Sequence, residues 1–212
     1  MRGIVINNLI HTGKDLDLVM TAKNLPAPKL QSQKVEIPGR NGALDMSEFL
    51  TGYPTYDNRT LTFSFFGSGS REVVLSLIDH MLAYHGHYIT VIVEDLPDWY
   101  YEGRAEIAYS DKYYYVEFTL TVDAQPFRQA IKEKIFTYSK VTDKEITLVN
   151  EGVKVLPTVT VTESTTIKVG DTIFTINAGT YDPEQLLLNT GKNTWIITTT
   201  GTIIITYREA KI

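Results

Sequence analysis

The sequence predicts a mainly β protein with one helix, arranged as an N-terminal α+β domain over residues 1–127 and a small β-sandwich or jelly roll over residues 128–212. Three observations carry that expectation. Alternation of apolar and polar residues, the period of a half-buried strand, recurs along most of the chain. One segment, Ser70–Gly86, switches to the period of a helix. Beyond Pro126 turn residues punctuate short strands about every ten residues, the rhythm of a sandwich.

In chain order, Asp15-Leu-Asp-Leu-Val-Met-Thr21 is the first alternating run and is expected to be a strand. Val35-Glu-Ile-Pro-Gly-Arg-Asn-Gly-Ala-Leu-Asp-Met-Ser47 follows, with the turn dipeptides Pro38-Gly39 and Asn41-Gly42 on either side of Arg40. Pro fixes φ and each Gly accepts positive φ without steric cost, so a tight, ordered turn between two strands is predicted. Val at Gly39 or Gly42 is then expected to destabilise the N-terminal domain by about 1–3 kcal/mol. Leu61–Phe65 alternates again. In Ser70–Gly86, Val73, Val74, Leu77, Ile78, Met81 and Leu82 recur at helical spacing. Ser70 or Ser68 suits the N-cap, Glu72 the positive end and Gly86 the stop, giving one helix of about four turns packed on a sheet. Tyr88–Glu94 and Tyr113–Val122 read as strands. Between them Asp95-Leu-Pro-Asp98 makes a turn, and Trp99-Tyr100-Tyr101 reads as a strand start or, if exposed, as an aromatic contact surface.

The domain boundary is placed between Pro126 and Tyr138, where the strand ends in Gln125-Pro-Phe and the Lys/Glu-rich stretch Arg128–Lys134 forms a short hinge. Thr158–Thr162 and Thr202–Tyr207 then alternate as strands. Asn150-Glu-Gly, Val169-Gly-Asp, Asn177-Ala-Gly, Tyr181-Asp-Pro, Asn189-Thr-Gly and Thr200-Gly-Thr are read as the turns between strands.

Composition narrows the function. The chain has 212 residues, 43% hydrophobic and 21% charged, with no cysteine, which excludes disulfides and thiolate metal sites. No apolar run approaches 18 residues and Met1–Ile6 lacks a signal-peptide core, so neither a membrane span nor secretion is expected. Residues 1–127 hold 10 basic against 16 acidic side chains, a net of −6, and residues 128–212 hold 10 against 9. Neither half has the basic excess of a nucleic-acid binder.

Catalytic and metal constellations are weak. His80 and His85 lie about 140° apart on a helix, and His87 falls beyond Gly86, so the three converge poorly on one ion. Gly67-Ser-Gly-Ser-Arg71 leads from a strand into the helix, which suits a capped turn better than a nucleophile elbow. Glu94, Asp95 and Asp98 are close in sequence, but Pro97 marks them first as a turn. No enzyme activity, cofactor or metal is expected.

The ordered combination of Pro38-Gly-Arg-Asn-Gly42, Leu44-Asp45, Tyr56-Asp-Asn-Arg59, one amphipathic helix, Asp98-Trp-Tyr-Tyr-Glu-Gly-Arg104, Tyr115–Val122 and Gln125-Pro-Phe resembles the N-terminal domain of siphophage distal tail proteins. Val149-Asn-Glu-Gly, Leu156-Pro-Thr-Val-Thr-Val, Asn189-Thr-Gly-Lys-Asn and Gly201–Arg208 resemble that family's terminal domain. The resemblance implies a galectin-like β-sandwich at the C-terminus and a homo-hexameric ring built by the N-terminal domains. The ring would sit at the virion tail tip, joining the tail tube protein to the tail-associated fibre or lysin and to receptor-binding parts, after assembly in the host cytoplasm. Arg40, Asn41, Arg59, Trp99, Tyr100 and Tyr101 are the candidate interface residues. The rival reading is a carbohydrate-binding, lectin-like baseplate protein, in which Tyr181 and Trp195 stack on a sugar ring; the strand pattern around Trp195 equally suits burial.

Overall fold

The computed structural model describes residues 3–49 and 51–212. The architecture is mainly β with one α-helix, and it divides into two compact units, Met1–Arg128 and Gln129–Ile212.

The first unit runs β1 (Ile4–Ile6), β2 (Ile10–His11), β3 (Val19–Asn24), β4 (Lys34–Val35), β5 (Leu44–Asp45), β6 (Arg59–Ser68), α1 (Arg71–Leu82), β7 (Tyr88–Val93), β8 (Trp99–Asp111) and β9 (Tyr115–Ala124). Apart from β4 and β5, which pair only with each other, these strands form an antiparallel sheet in the order β2-β1-β7-β8-β9-β6-β3. Alternation decides its faces: Leu61, Phe63 and Phe65 of β6 point inward with Val116, Phe118, Leu120 and Val122 of β9. The face of α1 formed by Val74, Leu77, Ile78 and Met81 closes this core. Gly67 lets the helix approach, since a Cβ there would lie 2.7 Å from a Leu18 methyl and 2.8 Å from a Leu77 methyl.

Three local expectations shift. The helix is shorter than the Ser70–Gly86 pattern suggests. Ser70 caps it by accepting the Val73 N–H at 3.5 Å, but it ends at Leu82. Past that point the Gly86 N–H donates to the Ala105 carbonyl of β8 at 2.8 Å, and His85 Nδ1 accepts the Ile107 N–H at 3.0 Å. Attachment to the sheet wins over another turn of helix. Val73, counted on the apolar face, is 47% exposed. The first long strand begins at Val19 rather than Asp15, because the Asp15 carboxylate accepts the His11 N–H at 2.7 Å and closes a turn. Tyr113, expected in a strand, sits at the β8–β9 turn with φ +69°.

After β10 (Arg128–Ala130), the second unit contains β11 (Lys134–Asn150), β12 (Thr158–Val161), β13 (Thr165–Val169), β14 (Thr172–Ile176), β15 (Gly179–Tyr181), β16 (Gly191–Tyr207) and β17 (Ala210–Lys211). The stretch read as a hinge therefore supplies β10 and the first residue of β11. The organising pair is β11 with β16, matched from Lys134↔Tyr207 to Asn150↔Gly191. The other edge of β16 is shared: Trp195–Thr199 pairs with β13, and Ile203–Thr206 pairs with β12. Two register shifts in β11, between Ser139 and Lys144, mark the bend between these halves.

Thr200-Gly201-Thr202 lies inside β16 and makes no turn. Gly201 is needed for another reason, because a Cβ there would stand 2.4 Å from the Thr162 hydroxyl. Trp195, Ile197, Ile203, Ile205 and Tyr207 keep one parity through the bend and fill the core with Ile146, Leu148, Val159, Val161 and Ile167.

Candidate interaction surfaces

Residues 26–49 and 51–57 leave the first unit's sheet as an arm. Its stem is held by the Leu30–Tyr56 bridge, by the Gln31 N–H donating to the Thr55 carbonyl at 2.9 Å, and by the Asp57 N–H donating to the Lys29 carbonyl at 2.9 Å. Farther out, the Met46 N–H donates to the Gln33 carbonyl at 2.7 Å, and β4 and β5 bring the chain to its tip. Gly39 and Gly42 take φ of +81° and +78° there, with open space where a Cβ would project. Arg40 and Asn41 are exposed at this tip. Leu30, Val35, Ile37 and Phe49 are between 41% and 73% exposed, so the arm displays apolar side chains that its own unit does not cover.

Arg59 occupies the opposite kind of environment. It opens β6, stands opposite Ala124 of β9, and Ala124 stands opposite Gly103 of β8. Facing residues share a side of the sheet, so two small residues leave a shelf for the long side chain. The guanidinium lies over the Tyr101 ring at 4.7 Å and donates to the Pro26 carbonyl at 3.3 Å, which ties the base of the arm to the sheet. Only 6% of Arg59 is exposed, and burial pulls its pKa below the ordinary arginine value. The positive charge of Arg128, a residue expected only to mark the domain boundary, also lowers it, and the Arg128 guanidinium lies 5.4 Å over the Trp99 ring. Tyr101 is buried, while Trp99 and Tyr100 are half-buried. The expected contact residues therefore fall in two groups: Arg40 with Asn41 at the arm tip, and Arg59 with Trp99, Tyr100 and Tyr101 at the sheet end.

A further aromatic group was not anticipated as a surface. Tyr109, Tyr113 and Tyr114 are 47%, 56% and 67% exposed around the β8–β9 turn. Arg71 steadies it by donating to both carboxylate oxygens of Asp111 at 2.7 Å and lying 5.2 Å over Tyr113. The sequence signal was Asp111-Lys112, a turn-like break before the tyrosine run.

The sugar candidates part company. Trp195 is 1% exposed in the second unit's core and offers no ring face to a ligand. Tyr181 is 42% exposed beside a depression of about 420 Å³ lined by Thr175, Asn177, Asp182 and Gln185. The histidines and carboxylates are engaged separately: His80 Nδ1 lies 2.7 Å from the Ser76 carbonyl, Glu94 accepts the Gly3 N–H at 3.1 Å, and Asp95 pairs with Lys23. Among the described residues no group of His, Cys, Asp and Glu is placed to hold a metal ion, and no helix is long and apolar enough to cross a membrane.

No family model and no curated protein matches the chain. Among solved structures it is similar to the SPP1 Dit (gp 19.1) protein, described as a paradigm of the hub adsorption apparatus in phages infecting Gram-positive hosts. The TM-score is 0.67 at 15% identity, with 100% of both chains covered. At that identity the likeness is one of backbone, and it extends over both units: the chain has the fold of the SPP1 Dit protein.

Proposed function

We propose that this chain is a distal tail protein of a siphovirus or prophage, a structural hub rather than an enzyme. The observation that carries the reading is the likeness to a phage hub protein over the full length of both chains. It joins an independent one, the ordered motifs from Pro38-Gly-Arg-Asn-Gly42 to Gln125-Pro-Phe127 that resemble the distal tail family. In this role residues 1–127 form a homo-hexameric ring at the virion tail tip, and the galectin-like residues 128–212 lie at its periphery. The ring joins the tail tube protein to the tail-associated fibre or lysin and to the receptor-binding apparatus. It is assembled in the host cytoplasm and needs no cofactor, nucleic acid or membrane.

A closed ring requires two different patches per subunit, meeting head to tail. The first unit supports this with an open strand edge at β3 and with the apolar arm. Imaging of the full chain at high concentration, and of tails carrying it, should show six-fold rings. A defined dimer or trimer in the assembled tail would overturn the ring. Tyr181 and its depression favour a second reading, a lectin-like module contacting cell-wall sugar. Glycan-array binding lost on Tyr181→Ala would select it, and a blank array would remove it.

A further inference from the structure

The arm tip brings together a side-chain amide and a backbone nitrogen that nothing else engages. The Arg40 N–H donates to the Ile37 carbonyl at 3.1 Å, and with Pro38 at the first corner and Gly39 at φ +81° this closes a type II turn. Asn41 and Gly42 follow directly and are exposed. Among the described residues neither the Gly42 N–H nor the Asn41 carboxamide makes a hydrogen bond. Gly42 stands at φ +78° with nothing within 4 Å of the place a Cβ would occupy, beside an open depression of about 480 Å³ lined by Glu36, Ile37, Arg40 and Ala43. Other asparagines are held. The Asn7 side-chain oxygen accepts the Thr90 N–H at 2.9 Å, and Asn150 and Asn193 donate to the Val153 and Asn189 carbonyls at 2.7 Å and 2.8 Å. Asn41 is also the one asparagine that precedes a glycine; every other precedes a residue whose side chain crowds the next nitrogen.

We infer that Asn41 is a self-modification site, converted without an enzyme to aspartate and isoaspartate, which places a new carboxylate at the arm tip. The Gly42 nitrogen, having lost its proton to solvent base, attacks Asn41 Cγ. The N–Cγ bond forms, the Cγ–Nδ2 bond breaks, and Nδ2 takes up a proton and leaves as ammonia. The product is a succinimide ring, which a glycine lets close because no Cβ stands against it. Water then adds to either imide carbonyl. Opening at Cγ leaves aspartate. Opening at the main-chain carbonyl leaves isoaspartate, in which the backbone runs through Cβ and Cγ and the former main-chain carbon is the free carboxylate. One water is taken up and one ammonia released, with no change of oxidation state. Each event adds a negative charge, next to Arg40, to a chain of formal net charge −5. Among the described residues the arm supplies none to the buried core, so the tip changes without unfolding the unit. None of this depends on the proposed ring.

The test ages the full-length protein in mildly alkaline buffer made with heavy-oxygen water. Cleavage after glutamate then isolates Ile37–Glu48, in which Asn41 is the only asparagine. Two acidic isomers of this peptide should accumulate, each carrying one heavy oxygen, with isoaspartate the larger fraction. Conversion should outrun that of every other asparagine by about tenfold or more, because the tip is the least constrained. A matching acidic species should grow on ion exchange while the circular-dichroism spectrum stays unchanged. Asn41→Gln should abolish that species, and Gly42→Ala should slow its growth by about tenfold through the added Cβ. An Asn41 that keeps its amide, or converts no faster than Asn7 or Asn193, overturns the site. Aspartate formed without isoaspartate overturns the cyclic route.

Discussion

Single residues matter here through what surrounds them. Gly39 and Gly42 adopt the positive φ expected of their turn, but among the described residues the arm they cap supplies none to the buried core. Strain from Gly39→Val or Gly42→Val is therefore released locally, contrary to a destabilised domain. Hydrogen exchange should rise across 29–57 while the melting temperature of the first unit moves by less than about 2 °C. Gly103 is the glycine whose replacement the sheet cannot absorb, because a Cβ would lie 2.1 Å from the Asp123 carbonyl oxygen. Gly103→Ala should cost about 3 kcal/mol, the upper end for overpacking, measured by urea unfolding. Trp195→Ala, deep in the other core, should cost about 3–5 kcal/mol in the same assay.

Glu209 gives the second unit a pH dependence. Burial alone would raise its pKa, but hydrogen bonds from Lys134 Nζ at 2.6 Å and the Glu151 N–H at 2.9 Å outweigh it, and the net shift is downward. A depressed carboxylate stabilises the folded state above its unfolded value, 4.5, and loses that contribution as the pH falls through the folded value. The stability difference between the native chain and Glu209→Gln should be full near neutral pH and shrink below about pH 4.5, read as the gap between two melting curves.

At the scale of elements, α1 and the β11–β16 pair organise their units. The helix packs on β6, β8 and β9 through the face that carries Leu77, so Leu77→Ala removes core packing and should cost about 2–5 kcal/mol. Val73→Ala, on the exposed side, should change stability by less than about 0.5 kcal/mol. Denaturant titration of the pair checks the assigned face. The long strands β11 and β16 behave otherwise. They cross a bend without breaking, and the Asp143 N–H donating to the Thr198 hydroxyl at 2.9 Å and the Ser139–Thr202 hydroxyl contact at 2.9 Å hold them together there.

At the scale of the whole molecule, each unit has its own core, and the features suited to assembly lie in the first. Its arm displays exposed apolar side chains, and β3 ends the sheet order of that unit.

The sequence by itself determined the strand alternation, the single helix with its Ser70 cap, and the turn at Pro38–Gly42, because each is set by neighbours a few residues apart. The resemblance in its motifs also pointed to the phage fold that the backbone comparison displays. Only the tertiary structure decided where α1 stops, since a β8 carbonyl claims the Gly86 N–H. It also decided that Thr200-Gly-Thr continues a strand, because β11 pairs on both sides of it. Burial of Trp195 and the stacking of Arg59 on Tyr101 and of Arg128 on Trp99 depend on register between residues far apart in sequence. Alternation records which side chains share a face, but the neighbour across the sheet is chosen by the packing of the whole unit.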